Sequence, residues 1–197
     1  MRTIKKVASH IFIDGFGGMT QGLFATLIIG TMIQQIGLLI GGSTGNVIYL
    51  LGKAAAALTS AGIGVGVAVK YGESPLVTVS AAVAAMVGGY AGKITGGTFF
   101  VDGNAVLAGP GEPLGAFIAA FAGITCGHLV SGKTKVDIIV TPVVTIGVGS
   151  VVGLLVGPPI SQMMTGLGSI INWATEQRPF IMGIVVSVVM GMVLTLP

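Results

Sequence analysis

Runs of about 20 mostly apolar residues recur from residue 19 to the last residues of this chain, and almost no charge falls inside them. The hydrocarbon core of a bilayer is about 30 Å thick, and an α-helix crosses it with about 20 such residues. Six segments qualify: 19–40, 46–69, 75–92, 113–130, 138–157 and 180–196. Lys53 is the one Lys, Arg, Asp or Glu within them. Lipid offers no partner to a free backbone N–H or C=O, so segments of this kind cross as helices. Pro75, Pro113 and Pro179 stand at or just before span starts, where a missing N–H costs nothing. The sequence therefore predicts an all-α membrane protein with about six transmembrane helices.

Composition agrees. Charged residues make up 8% of the chain, against about 25% in soluble domains. The 34 glycines lie mostly in the apolar runs, where small residues let helix backbones approach. GxxxG spacings occur at Gly62/Gly66, Gly88/Gly92, Gly149/Gly153 and Gly153/Gly157. Cys126 is alone, which excludes an intrachain disulfide, and its apolar surroundings read as those of a small buried hydrophobe.

The net charge of +3 does not point to nucleic acid, because no basic stripe with interleaved aromatics exists. Its placement points to topology. With the amino terminus inside, the inner segments hold Arg2, Lys5, Lys6, Lys70, Lys133 and Lys135, and the outer ones hold Lys93 and Arg178. That asymmetry follows the positive-inside rule. Two further segments are amphipathic. Residues 1–14 set Ile4, Val7, Ala8 and Ile11 against Arg2, Lys5, Lys6 and His10, as in a surface helix on an anionic leaflet. Residues 160–177, after Pro158-Pro159, repeat apolar positions at helical spacing with Trp173 at the edge, as in a helix lying in the interface.

Few residues suggest chemistry. Gly127–Thr134 fits the pattern GxxxxGK[ST], but it straddles the end of a span rather than joining a buried strand to a helix, so it reads as a helix end with a basic loop. His10 and His128 are far apart, no metal-ligand spacing is present, and no serine has a base and an orienting group nearby. No catalytic residue, metal or cofactor is indicated. Gln34, Gln35 and Lys53 lie at membrane depth, and Lys53 can snorkel to the nearer interface. His128 reads as a helix-end residue near the headgroups. The longest loop, 93–112, is expected partly to re-enter the membrane or pack on the bundle, and its Asp102, Asn104 and Glu112 are candidates for a polar, substrate-binding entrance. The chain stops directly after an apolar run, which suggests a fragment, or half of a longer permease.

Four stretches carry a resemblance: KKVASHIFIDGFGGMTQGLFATLIIGTMIQQIG, LAGPGEPLGAFIAA, SGKTKVDIIVTPVVTIGVGSVVGLLVGPPI and RPFIMGIVVSVVMGMVLTLP. Together they resemble the membrane IIC component of bacterial phosphotransferase-system sugar permeases. That resemblance implies a homodimer in the bacterial cell membrane, with a scaffold and dimer-contact half followed by an interfacial helix and a sugar-carrying half. It also implies a cytoplasmic IIB protein that phosphorylates the sugar. On this reading residues 1–157 are the scaffold of five spans, 158–179 the interfacial connector and 180–197 the sixth span, opening a second half. The alternatives are a secondary transporter or channel for a small solute, or a membrane regulator without transport.

Overall fold

The computed structural model describes residues 10–175 apart from 102 and 108, together with 183, 184, 187, 188 and 191. It is almost wholly helical. A π-helical segment, His10–Gly15, opens the first long helix. It leads into α1 (Phe16–Leu23), a π-helical turn (Phe24–Ile28) and α2 (Ile29–Ile40). Gly41 reverses the chain into α3 (Gly42–Ala57), and after a break at Leu58 follows α4 (Thr59–Lys70). Then come α5 (Pro75–Gly89) and a short α6 (Ala91–Thr95). A hairpin of β1 (Phe100–Val101) and β2 (Asn104–Ala105) precedes α7 (Pro113–Val130) and α8 (Asp137–Thr175). The strands pair antiparallel, Phe100 opposite Ala105 and Val101 opposite Asn104.

The all-α membrane architecture is as the sequence predicts, and fewer than six crossings fall among the described residues. Among the described residues three helices are long and apolar enough to cross a membrane: Ile13–Ile40, Pro113–Val130 and Asp137–Ile170. A fourth crossing is made if α3 and α4, bent by 53° at Leu58, count as one span. The expected span at 75–92 is a helix of 15 residues, because the backbone leaves helical geometry at Tyr90 (φ −106°, ψ 10°). The expected sixth span at 180–196 and the amino-terminal surface helix fall mainly outside the described residues.

Two compact units divide at Pro158 and Pro159. The sequence sets a span ending at 157 apart from an interfacial helix beginning at 160, yet the backbone is helical throughout Asp137–Thr175. Proline fixes a φ that a helix accepts while removing one N–H, so a proline pair deletes hydrogen bonds without forcing a stop. In the second unit Met163, Ile170 and Trp173 are exposed.

In the first unit α4, α5 and α7 enclose the core. It is built from Ile63, Val67 and Ala68, from Val77, Ala81 and Ala85, and from Ala116, Phe117, Ala120 and Ile124, with Phe16, Met19 and Leu23 of α1 packed against it. So many alanines mean that cohesion comes from close approach rather than from large side chains. Glycines make the seams. A Cβ on Gly18 would lie 2.6 Å from the Gly66 carbonyl oxygen, and one on Gly64 would lie 2.5 Å from that of Ala81. Gly88 meets Gly115 across α5 and α7, while Gly149 and Gly153 of α8 pack on Ala84 and Ala119. At the start of α5 the Ser74 hydroxyl caps Val77 N–H at 3.4 Å and Pro75 takes the first helical position.

Candidate functional site

Polar groups gather at both ends of this bundle. At the loop end, Tyr90 stands where α5 stops and is buried. Its hydroxyl donates to the Gly109 carbonyl and lies 3.3 Å from that of Ala57. The buried Ser60 hydroxyl donates to the Pro110 carbonyl at 2.9 Å, and Glu112 N–H donates to the Gly89 carbonyl at 2.7 Å. Residues 109–112 are thus fastened on the junction of α4 and α5. Gly111 is required there twice over: its φ is +75°, and a Cβ would run into the Ser60 hydroxyl and the Gly89 carbonyl. Phe99 packs on Tyr90 with ring centroids 5.4 Å apart, and Lys93 Nζ stands 5.3 Å from the Tyr90 ring centroid. Phe100 and Val101 are exposed. The loop therefore packs through Phe99 and its Gly-Pro-Gly stretch rather than through its strands.

Glu112 begins α7 at the N-cap position and is half-buried. Burial raises its carboxyl above the usual carboxylate range, and Lys93 pulls it back down. Asn104 lies in β2, exposed, and its backbone is paired with Val101. Asp102 lies outside the described residues. The sequence-predicted set is thus spread from an exposed hairpin (Asn104) to the base of the loop (Glu112). Tyr90 and Ser60 escaped the sequence reading, since a lone hydroxyl in an apolar run looks like packing. The one available signal was the Gly109-Pro110-Gly111 stretch, which needs something to fasten to.

At the opposite end His128 Nδ1 lies 3.0 Å from Glu73 Oε1, and the Ser74 and Ser131 hydroxyls are 3.1 Å apart. Tyr71 stacks edge-on to Phe121, and burial, then Asp14, pushes its phenol up to about 12. Lys70, Lys133 and Lys135 are exposed at this end, and Lys53 is exposed on α3. The phosphate-loop match is accounted for here. Ser131 N–H donates to Gly127 and Lys133 N–H to Val130, while Gly132 N–H donates to Asp137 Oδ1 at 2.9 Å. A phosphate cradle needs such amides free, so Gly127–Thr134 is a helix end and turn, held by a carboxylate that also takes the Thr141 hydroxyl. Among the described residues no three of His, Cys, Asp and Glu gather to hold a metal.

Long apolar helices, small-residue seams and polar ends define a polytopic helical membrane protein. The sequence profile of the family described as "Phosphotransferase system, EIIC" matches residues 13–197. The chain belongs to that family, the membrane permease components of phosphotransferase systems. Comparison with curated proteins and with solved structures gives no match.

Proposed function

We propose that the protein takes part in sugar uptake coupled to phosphorylation, with a cytoplasmic IIB protein as phosphoryl donor and with residues 1–157 serving as scaffold and dimer contact. The observation that carries this reading is the family match over residues 13–197. The glycine and alanine seams suit a scaffold, because they give rigid helix contact without large side chains. Residues 158–179 act as a connector and 180–197 open a second, sugar-carrying part. The excess of Lys and Arg favours an amino terminus in the cytoplasm of a bacterial cell, so that loop 93–112 faces outward. There Asp102, Asn104 and Glu112 line the solute's entrance.

The test is uptake of labelled sugars into right-side-out membrane vesicles containing the protein, loaded with or without phosphoenolpyruvate and the carrier proteins. Sugar phosphate inside only with the carriers is the expected result. Unmodified sugar inside would instead indicate a secondary transporter or channel, and no uptake of any sugar would indicate a transport-inactive regulator. For the entrance, a combined Asn104→Ala, Glu112→Gln variant should raise KM for uptake about tenfold, the equivalent of about 1.4 kcal/mol of binding. An unchanged KM overturns that assignment.

A further inference from the structure

The first two long helices are each interrupted, and the interruptions face each other. The π-helical turn Phe24–Ile28 separates α1 from α2, and Leu58 separates α3 from α4 with a 53° bend. The Thr26 methyl group sits against Gly62, where a Cβ would lie 2.6 Å away, so the π-helical turn packs one helical turn beyond the break. Below that level α1 is bound to α4 through Gly18, Gly22, Gly62 and Gly66. Above it α2 and α3 pack chiefly on each other, through Gly30 against Gly52 and Gly37 against Gly45. Their outer faces carry exposed Ile36, Leu39, Val47 and Leu51, side chains that lipid solvates at any tilt.

The break is already satisfied without a continuous helix. Leu58 N–H donates to Ala55 at 3.2 Å, the Thr59 hydroxyl donates to Ala56 at 2.6 Å, and the Tyr90 hydroxyl lies 3.3 Å from the Ala57 carbonyl. The hydrogen bonds on either side meet at Leu58, whose N–H is held by Ala55 and whose carbonyl takes Gly62 N–H at 2.9 Å. A change of bend angle is therefore concentrated at one residue, which is what a hinge needs. Tyr90 has one hydroxyl hydrogen and two carbonyls within reach, Ala57 at the break and Gly109 in the loop. Ser60, two residues past the break, holds Pro110 of the same loop.

We propose that α2 and α3 move as one lever on the α4–α5–α7 bundle, hinged at Phe24–Ile28 and Leu58, and that the Tyr90 and Ser60 hydroxyls latch the hinge to Gly109 and Pro110. Loop and lever are then coupled, since whatever holds residues 109–110 in place holds the bend. A 16-residue helix is about 24 Å long, so a rotation of about 10° carries the tip of α3 through about 4 Å.

The experiment uses the full chain in lipid vesicles, carrying Cys126→Ser and spin labels on introduced cysteines at Val47 of α3 and Val83 of α5, both exposed. Distance distributions are recorded for the native latch, for Tyr90→Phe and for Ser60→Ala. The expected result is a Val47–Val83 distribution that shifts or broadens by several Å in both variants. A Met32–Val47 pair within the lever and a Val83–Leu129 pair within the bundle should keep their distances. An unchanged Val47–Val83 distribution in both variants overturns the latch. Equal broadening of the Met32–Val47 pair shows that the hairpin is not rigid, and disturbance of the Val83–Leu129 pair makes Tyr90 a core residue rather than a latch. Either result also overturns the proposal.

Discussion

His128 Nδ1 lies 3.0 Å from Glu73 Oε1, joining residues 55 apart in sequence and tying the turn before α5 to the end of α7. The two sides of this pair are unequal: the imidazole side chain is 71% exposed and the carboxylate side chain 9%. Losing an exposed partner costs little by itself, but a nearly buried carboxylate left alone costs about 1–3 kcal/mol. His128→Ala should therefore lower the thermal unfolding midpoint in detergent more than Glu73→Gln does. The double variant should recover part of the loss. A double variant as unstable as the sum of the two singles would show that the pair is not coupled.

The glycine seams should be intolerant at contact positions and tolerant elsewhere. Gly64 packs with its Cα side against the Ala81 carbonyl, whereas a Cβ on Gly147 in α8 meets nothing within 4 Å. Gly64→Val should cost about 1–3 kcal/mol by overpacking and prise α4 from α5. Gly147→Val should leave the unfolding midpoint almost unchanged. Equal effects of the two in a heat-denaturation series would remove close approach as the source of cohesion.

The sequence made the helices readable because lipid imposes a length and an apolar composition, and both leave a plain trace over 113–130 and 138–157. It also made the seams readable, since Gly62/Gly66 and Gly149/Gly153 do pack on neighbouring helices. The breaks were hidden. Leu58 and the turn Phe24–Ile28 are as apolar as their neighbours, and only tertiary contacts with Tyr90 and Gly62 reveal them. Hydropathy counts residues along a run and is blind to a bend within it, which is why 46–69 reads as one straight span. The polar ends were hidden for a related reason. Ser60 and Tyr90 meet the loop at one end, and Glu73 meets His128 at the other, through pairing of distant segments that no local spacing records.

Gly111 separates two penalties that a substitution would combine. Its φ of +75° is strained for any side chain, and its missing Cβ leaves room for the Ser60 hydroxyl. Gly97, with φ +71° and nothing within 4 Å of a Cβ, has only the first. Gly97→Ala should cost about 1–2 kcal/mol from the backbone alone. Gly111→Ala should cost clearly more, and adding Ser60→Ala to it should recover part of the steric share. Equal midpoints for the two single variants would mean that the loop yields around position 111.

Glu112 offers a pH test of the loop's anchorage. Burial raises its folded-state pKa above the ordinary 4.5, with Lys93 acting in the opposite direction. A carboxyl whose folded pKa is raised favours the native state while protonated. Its contribution is fully present below the unfolded pKa and is lost as pH rises through the folded value. Glutamine keeps the shape of the protonated acid and never ionises. The unfolding midpoint of Glu112→Gln should therefore match the native protein at pH about 4, near the unfolded carboxyl pKa. It should exceed the native midpoint increasingly as pH rises through the folded-state pKa, where the buried group takes up its charge. Melting curves across that range decide the matter. A Glu112→Gln variant less stable than the native protein at neutral pH, with a gap that closes on acidification, would mean that the charged carboxylate is the favoured form, held by Lys93 against the cost of burial.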